Sequence, residues 1–238
     1  MMKLLCVAVV VLSLISVGQP APLVCEKLLK PVDKAPDFPG IWYLVAMTSD
    51  TCVVTTLLNY VLWPSVSLNI TSMNTPNVYK GNYRFKMYGY CETDSEEFFS
   101  KKNMVFDVDV NNAPVDEPDM LLQSGCSDCF IVKRVDKDID MLMLFSRRQN
   151  VSAAELNEFE KQAECLGWAK PEVINSDHDI ENCLSLDDDD TDNLELIPMI
   201  FQRLRNNYAV PFKCVSESVQ TFHKAVYEWA QQQWATLW

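Results

Sequence analysis

Histidine is scarce in this chain of 238 residues, which contains two, His178 and His223. Both lie beyond the region predicted below to form strands, so no imidazole is expected there beside a nucleophile or a metal ion. Cys126-x-x-Cys129 has the spacing of a zinc or redox pair, but the chain has no second C-x-x-C. These absences argue against an enzyme, a metal centre and a bound cofactor.

Basic residues are also few. The chain has 20 Lys and Arg against 33 Asp and Glu, a net charge of −13. Affinity for nucleic acid comes largely from neutralising phosphates, so this composition excludes nucleic acid as a partner. Residues 172–195 contain ten acidic side chains and no Lys or Arg. Residues 185–192, at the centre of this acidic block, are therefore predicted to be a solvated linker.

Long apolar runs are confined to the N-terminus, where Lys3 precedes the apolar segment Leu4–Val17 and the small residues Ser16 and Gly18. This arrangement predicts a signal peptide over residues 1–18 and a secreted, extracellular protein. The segment is too short for a comfortable membrane span, and no later stretch reaches about 20 apolar residues, so no transmembrane span is expected. A retained signal would instead anchor the chain to lipid.

Cysteine is plentiful by comparison. Removing the signal takes away Cys6 and leaves an even number of cysteines in an oxidising compartment, which implies disulfides. These cysteines are Cys25, Cys52, Cys91, Cys126, Cys129, Cys165, Cys183 and Cys214.

Residues 40–147 consist of short apolar segments broken by Pro, Asn, Gly and Asp, the pattern of an all-β protein. Eight antiparallel strands in an up-and-down barrel leave room for one small ligand. The apolar segment 53–63, ending at Pro64, is predicted to be a lid over the open end. The predicted strands are Gly40–Thr48, Val66–Ser72, Tyr79–Tyr90, Glu97–Lys101, Met104–Val110, Met120–Ser124, Phe130–Val135 and Ile139–Ser146.

Alternation along these strands predicts which side chains line the barrel. In the third strand the odd positions are apolar and the even positions include Lys80, Arg84 and Lys86, so the odd positions should point inward. In the fifth strand the apolar even positions alternate with Asp107 and Asp109, so the even positions should point inward. The predicted ligand-binding wall is Leu68, Tyr83, Phe85, Met87, Phe106, Val108, Phe130 and Val132.

A helix is predicted to follow the last strand. Ser152-Ala-Ala-Glu155 is a capping box, and an apolar stripe follows at helical spacing. One face of this helix should therefore dock on the barrel. The stripe is Leu156, Phe159, Ala163 and Leu166.

Two glycosylation sequons are present, at Asn69 and Asn150. Asn69 lies on the outward face of its predicted strand, so a glycan fits there. A glycan at Asn150 competes with the cap, because Ser152 belongs to both the sequon and the capping box.

Residues 193–238 are predicted to be a helical extension. Pro198 suits the first turn of a helix, and Pro211 should end that helix. Two interpretations of the extension remain open: a helical pair that packs on itself or on the barrel, or an amphipathic helix that touches a lipid surface or a partner. The first stripe is Ile197, Phe201, Leu204 and Tyr208; the second is Val215, Val219, Phe222, Val226, Trp229 and Trp234.

Gly40-Ile41-Trp42 opens the first predicted strand, and Arg147-Arg148 follow the last one, just before the helix. A tryptophan near the start, a basic residue ending the last strand and one helix behind it resemble the lipocalin family. The resemblance implies that Arg147 or Arg148 lies across the Trp42 face and closes the barrel floor. Such a cation–π contact is worth about 0.5–2 kcal/mol.

The segments Ser124–Cys129, Leu144–Arg148 and Gln162–Leu166 resemble apolipoprotein M and the fish α1-acid-glycoprotein-like plasma lipocalins, which include toxin-binding members. The resemblance implies a barrel domain over residues 19–184. It also implies a secreted carrier of a small lipophilic or amphiphilic molecule, with lipoprotein particles as a further partner. A toxin-sequestering acute-phase protein and a receptor-directed immunomodulatory protein are the alternatives.

The resemblance further implies the disulfides Cys25–Cys165 and Cys91–Cys183. The pairing of the remaining four cysteines stays open. Cys52 could pair with Cys126 or Cys129, and so could Cys214. One lipocalin branch isomerises a prostaglandin with a cysteine about 20 residues after the tryptophan. Here that region contains no cysteine, which favours binding over catalysis.

Overall fold

A computed structural model describes residues 21–135, 139–174, 183–185 and 196–216, with side chains from residue 24 onward. The predicted signal peptide, all but the first residue of the predicted linker, and the second tail stripe beyond Val215 lie outside the described residues.

Eight antiparallel strands, β1 to β8, form a closed up-and-down barrel, which confirms the predicted fold class. Each strand pairs with its neighbours in sequence, β1 pairs with β8, and β4 pairs with β5 to complete the circuit. The strands are β1 Gly40–Ser49, β2 Ser65–Ser72, β3 Val78–Met87, β4 Tyr90–Lys101, β5 Met104–Val108, β6 Pro114–Leu122, β7 Cys129–Arg134 and β8 Met141–Ser146.

The hairpin between β3 and β4 corrects two of the predicted strand boundaries. The sequence predicts one strand to Tyr90 and the next from Glu97, but the chain turns at Tyr88-Gly89 and β4 begins at Tyr90. Both turn residues have positive φ, 53° for Tyr88 and 88° for Gly89, the geometry of a two-residue hairpin turn. Strand β6 likewise begins at Pro114 rather than at Met120.

The helix after the barrel, α3 (Ala153–Cys165), begins as predicted. Ser152 accepts the backbone N–H of Glu155, and the Glu155 carboxylate accepts the N–H of Ser152, so both hydrogen bonds of the capping box are present. The fully buried Phe159 packs on the outer face of the barrel, with Leu156 and Leu166 beside it. Their partners there are Ala46, Leu122, Ile131, Leu142 and Leu144.

Shorter elements surround the two ends of the barrel. A short N-terminal helix, α1 (Ala21–Leu28), lies beside α3. The lid between β1 and β2 is α2 (Cys52–Thr56), which continues as a π-helix over Leu57–Leu62. Strand β9 (Glu172–Val173) pairs with β1, and β10 (Leu184–Ser185) runs parallel to β4.

The tail supplies α4 (Leu196–Asn207), with Pro198 in its first turn as predicted. The helix ends before Pro211, which lies near the start of a second helical stretch over residues 209–216. Among the described residues, no helix is long and apolar enough to span a membrane.

Candidate functional site

The barrel encloses a cavity of about 580 Å³. This is within the range of small-molecule sites, which are commonly about 300–1,000 Å³. The lid contributes Leu58 and Pro64 to one end, and the aromatic ring of Phe38 lies at the other. The cavity therefore has the dimensions for one ligand between a lid and a floor.

Most of the predicted wall lines this cavity. Six of the eight predicted residues do so, and they come from β2, β3 and β7; on β2 and β3 they are the positions that alternation indicated. These residues are Leu68, Tyr83, Phe85, Met87, Phe130 and Val132.

The prediction for β5 is wrong, because Phe106 and Val108 do not line the cavity. Val105 and Asp107 line it instead. The pairing of β4 with β5 sets Asp107 opposite the inward Phe98 and sets Phe106 opposite Phe99. The Phe99 and Phe106 rings lie 6.1 Å apart on the other side of the sheet. The apolar set of this strand therefore packs outside, and the set containing the acid faces the cavity.

The mouth of the cavity is acidic. Alternate residues of β4 face inward, and three of them are carboxylates that remain exposed although they line the cavity. They lie in the part of β4 that has no pairing with β5, which pairs only from Phe98 onward. The cavity therefore opens to solvent along this stretch. With two carboxylates from β5 and β6, the acidic lining is Glu92, Asp94, Glu96, Asp107 and Asp119.

Two other polar side chains organise this acidic lining. The Tyr83 hydroxyl donates to the Glu96 carboxylate. Burial raises the pKa of Tyr83 well above its usual value, and the negative charge of Glu96 raises it further, so Tyr83 stays a neutral donor. The Arg134 guanidinium lies 3.8 Å from Asp107 and 3.9 Å from Asp119. The lining thus contains one arginine, paired with two of the five carboxylates, and keeps an excess of negative charge.

Sequence reasoning missed this acidic lining, although a signal for it is present. Glu92, Asp94 and Glu96 alternate with period two, as one face of a strand does. The signal was lost because the strand was predicted to begin at Glu97.

The floor is closed by Trp42 and Arg147. Trp42 is 2% exposed, and its Nε1–H donates to the carbonyl oxygen of Phe38 at 2.6 Å. The Arg147 guanidinium carbon lies 4.1 Å from the centre of the Trp42 ring. Arg147 also donates to the carbonyl oxygens of Asp37 and Pro39, both at 2.8 Å. Gly40, with φ of 116°, stands where a Cβ would collide with this guanidinium.

The resemblance implied that either Arg147 or Arg148 contacts Trp42, and Arg148 does not. Its guanidinium lies 2.7 Å from Asp128 and 2.8 Å from Glu155, so it joins the loop before β7 to the start of α3. Successive residues of an extended chain point to opposite sides, so only one of the two arginines reaches the floor. The contact with Trp42 belongs to Arg147.

Among the described residues, four disulfides are formed. Cys25 is joined to Cys165 and Cys91 to Cys183, the two pairs that the resemblance implied. Cys52 is joined to Cys214, and Cys126 to Cys129. The alternatives left open from sequence, in which Cys52 or Cys214 pairs with the C-x-x-C, are wrong. Cys126 and Cys129 are neighbours across a tight turn and bond to each other.

The remaining predicted sites lie on the surface. Asn69 and Asn150 are both exposed, so each is accessible to glycosylation, which stays a prediction. Cys126, Cys129 and Asp128 bring three metal-ligating side chains within 4.8 Å of one another. The disulfide removes both thiolates from this cluster, so it does not offer a zinc site in the form described.

Two comparisons with known proteins give a match, and one does not. No family model matches the chain. The chain is 29% identical over 164 residues to saxitoxin and tetrodotoxin-binding protein 1 of Takifugu pardalis. The match covers 63% of this chain and 42% of that protein, so the chain spans less than half of its relative. It confirms the resemblance to toxin-binding proteins of fish. The solved structure of the siderocalin Ex-FABP is similar over 64% of this chain and 100% of that one, with 20% identity and a TM-score of 0.49.

Proposed function

The chain has the lipocalin fold, and on this premise we propose that it is a secreted carrier of one small amphiphilic molecule, held in the barrel with its cationic group at the mouth. The observation that carries the proposal is the division of the cavity. Its lower part is apolar and aromatic, whereas its open side presents five carboxylates and one arginine.

The apolar part supplies the affinity. Burying apolar ligand surface is favourable by about 25 cal/mol/Å², so a hydrocarbon body reaches useful affinity without a specific polar contact. The side chains of Leu68, Phe85, Val132 and Met143 offer that surface. The similarity to a toxin-binding relative also supports a small molecule as the ligand.

The acidic part supplies the choice of head group. The Arg134 guanidinium is already shared between Asp107 and Asp119, so an anionic ligand would meet repulsion from the carboxylates before it found a free cation. A cationic head is attracted instead, and it stays partly hydrated because Glu92, Asp94 and Glu96 are exposed. Each exposed pair of this kind is worth about 0.2–1 kcal/mol, so their combined effect is moderate and sensitive to salt.

Titration calorimetry with three probes of equal chain length tests the proposal: dodecyltrimethylammonium, dodecanol and dodecanoate. We expect one site per chain, and the cation should bind at least about 10-fold more tightly than the anion at low salt. Phe85→Lys should abolish binding of all three probes, whereas Phe106→Lys, on the outer face, should not. Equal binding by the two variants would place the site outside the barrel.

Neutralising the three carboxylates of β4 tests the head-group assignment. The triple variant Glu92→Gln, Asp94→Asn and Glu96→Gln should weaken binding of the cationic probe by about 5- to 50-fold and leave binding of dodecanol unchanged. A matched control makes the same change in net charge outside the cavity and should weaken the cation far less; a loss of equal size would refute the assignment. This control combines Glu97→Gln, Asp116→Asn and Glu117→Gln.

Association with lipoprotein particles is a second candidate function, favoured by one observation on the tail. Phe201, Tyr208 and Phe212 are 63–72% exposed, so the described part of the tail presents aromatic side chains to solvent. Aromatic and apolar side chains on one side of a helix are typical of helices that lie in a lipid interface. Co-flotation with phosphatidylcholine vesicles, lost in Phe201→Ser with Phe212→Ser, would support this role, and unchanged flotation would refute it.

A further inference from the structure

Near the end of the lid helix, the backbone carbonyl of Asn59 lacks its usual helical partner. The Trp63 N–H donates to the Leu58 carbonyl, five residues back, as in a π-helix. The Asn59 carbonyl would normally receive an N–H from residue 63 or 64. Trp63 is already used, and Pro64 has no N–H to give. Asn59 is 8% exposed, so its carbonyl needs a donor from elsewhere in the protein.

Arg203 of α4 supplies that donor. Its Nη2 lies 2.9 Å from the Asn59 carbonyl oxygen, across 144 residues of sequence. Its guanidinium carbon lies 4.3 Å from the centre of the Trp63 ring. One side chain of the tail thus makes a charged hydrogen bond and a cation–π contact with the last turn of the lid.

A disulfide supplies the second attachment between the tail and the lid. Cys52, the first residue of α2, is bonded to Cys214 in the helical stretch after α4. No residue of α4 is fully buried, and Phe201 is 63% exposed. A helix of this length is marginal by itself, so α4 is held by its attachments rather than by a core of its own.

The lid in turn forms part of the ligand site. Leu58 and Pro64 line the cavity, on either side of the residues that Arg203 contacts. We propose that α4 is a latch that holds the lid shut, with Arg203 as its releasable contact and Cys52–Cys214 as its permanent tether. Solvent reaches the cavity along β4, but the lid covers its apolar end, so the apolar body of a ligand enters when the end of the lid lifts. The disulfide then keeps α4 in place to close the lid again.

The state of Arg203 suits a contact that opens and closes. Its Nε is buried and has no hydrogen-bond partner in the part of the chain that the structure describes. Release returns this N–H to water, which offsets part of the loss of the two contacts. The latch is therefore not so strong that the lid is sealed.

The latch governs the rate of ligand exchange rather than affinity. Arg203 contacts the outer side of the lid and does not line the cavity, so it stabilises the closed lid whether the barrel is empty or loaded. Both the association and the dissociation rate constants then depend on the open fraction, and their ratio does not. The inference concerns access to the cavity and goes beyond the identity of the ligand.

Stopped-flow fluorescence with N-phenyl-1-naphthylamine, a neutral probe, measures both rate constants on the full chain. In Arg203→Met, which keeps the aliphatic stem, both should rise by about 10- to 30-fold while the dissociation constant stays within about 2-fold. In Arg203→Lys, which keeps the positive charge, both rate constants should lie between those of the native protein and those of Arg203→Met. Arg205→Met, an exposed arginine on the same helix, is the control and should behave like the native protein.

Hydrogen exchange of the amides in residues 57–63 gives a second readout that needs no ligand. Exchange there should quicken in Arg203→Met and not in Arg205→Met. Unchanged rate constants and unchanged exchange would overturn the latch. A larger dissociation constant with an unchanged association rate constant would also overturn it, because Arg203 would then affect the affinity of the closed site and not access to it. Faster amide exchange with no probe binding would refute the carrier function and leave the latch standing.

Discussion

Arg147 and Arg148 are adjacent in sequence, yet the structure gives them unequal parts in stability. Arg147→Met removes two hydrogen bonds to the backbone carbonyls of Asp37 and Pro39, and the contact with Trp42. Arg148→Met removes ion pairs at the protein surface, where solvent screens them. The neighbouring variants change the same charge and differ only in what each side chain touches.

The expected cost of Arg147→Met follows from these contacts. Hydrogen bonds from a charged donor contribute about 1.5–3 kcal/mol each when they are protected, and a cation–π contact adds about 0.5–1 kcal/mol. Arg147 is half-buried, so we discount the sum and expect a loss of about 2–4 kcal/mol in the free energy of unfolding. For Arg148→Met we expect a clearly smaller loss.

Urea unfolding followed by far-ultraviolet circular dichroism compares the two variants without relying on any tryptophan. Acrylamide quenching adds a local readout, because loosening the floor should expose Trp42 in Arg147→Met alone. Equal losses for the two variants, or a larger loss for Arg148→Met, would refute the assignment of Arg147 to the barrel floor.

Two further predictions concern the lid side and the flanking helix. Burial raises the pKa of Glu172 above its usual 4.5, and the Tyr60 hydroxyl, 3.4 Å away, opposes this shift by hydrogen bonding to the carboxylate. Because the pKa is raised in the folded state, the carboxyl group contributes stability at low pH that declines as the pH rises through that pKa. Glu172→Gln should flatten this decline, measured as urea midpoints from pH 4 to 8. An unaltered pH profile would contradict the prediction. Ser152→Ala should cost about 1 kcal/mol through loss of the capping box, with thermal unfolding as the measurement and Ser152→Asn, which retains a capping oxygen, as the control; equal losses in both variants would rule out the cap as the cause.

Local sequence rules predicted much of the barrel because each rule acts within a few residues. Alternation indicated the inward faces of β2 and β3, since a strand that is apolar on one face must turn that face to the interior. The capping box at Ser152 is read from four consecutive residues, and the lid ends where Pro64 removes an N–H. None of these features depends on a distant part of the chain.

The orientation of β5 could not be predicted in this way, because both of its faces carry apolar side chains. Val105 faces the cavity and Phe106 packs against Phe99 on the outside. Which face turns inward is set by the pairing with β4, and the start of β4 depends on a turn in which Tyr88 has positive φ. An acid such as Asp107 is acceptable on the inner face because the cavity is solvated at this end. The rule that charge points outward fails where the inside is a ligand site.

The latch shows the same division between local and distant information within one interaction. The acceptor can be inferred locally, because Pro64 has no N–H and so deprives Asn59 of a partner as soon as the segment is helical. The donor cannot, because Arg203 and Arg205 look alike in sequence, and only the fold brings Arg203 to 2.9 Å from the Asn59 carbonyl. Comparing the single variants Arg203→Met and Arg205→Met therefore separates a requirement for charge on the tail from a requirement for this geometry. If the two arginines stabilised the closed lid equally, the ligand association and dissociation rate constants of the two variants would match. The tail would then act on the lid through its charge alone.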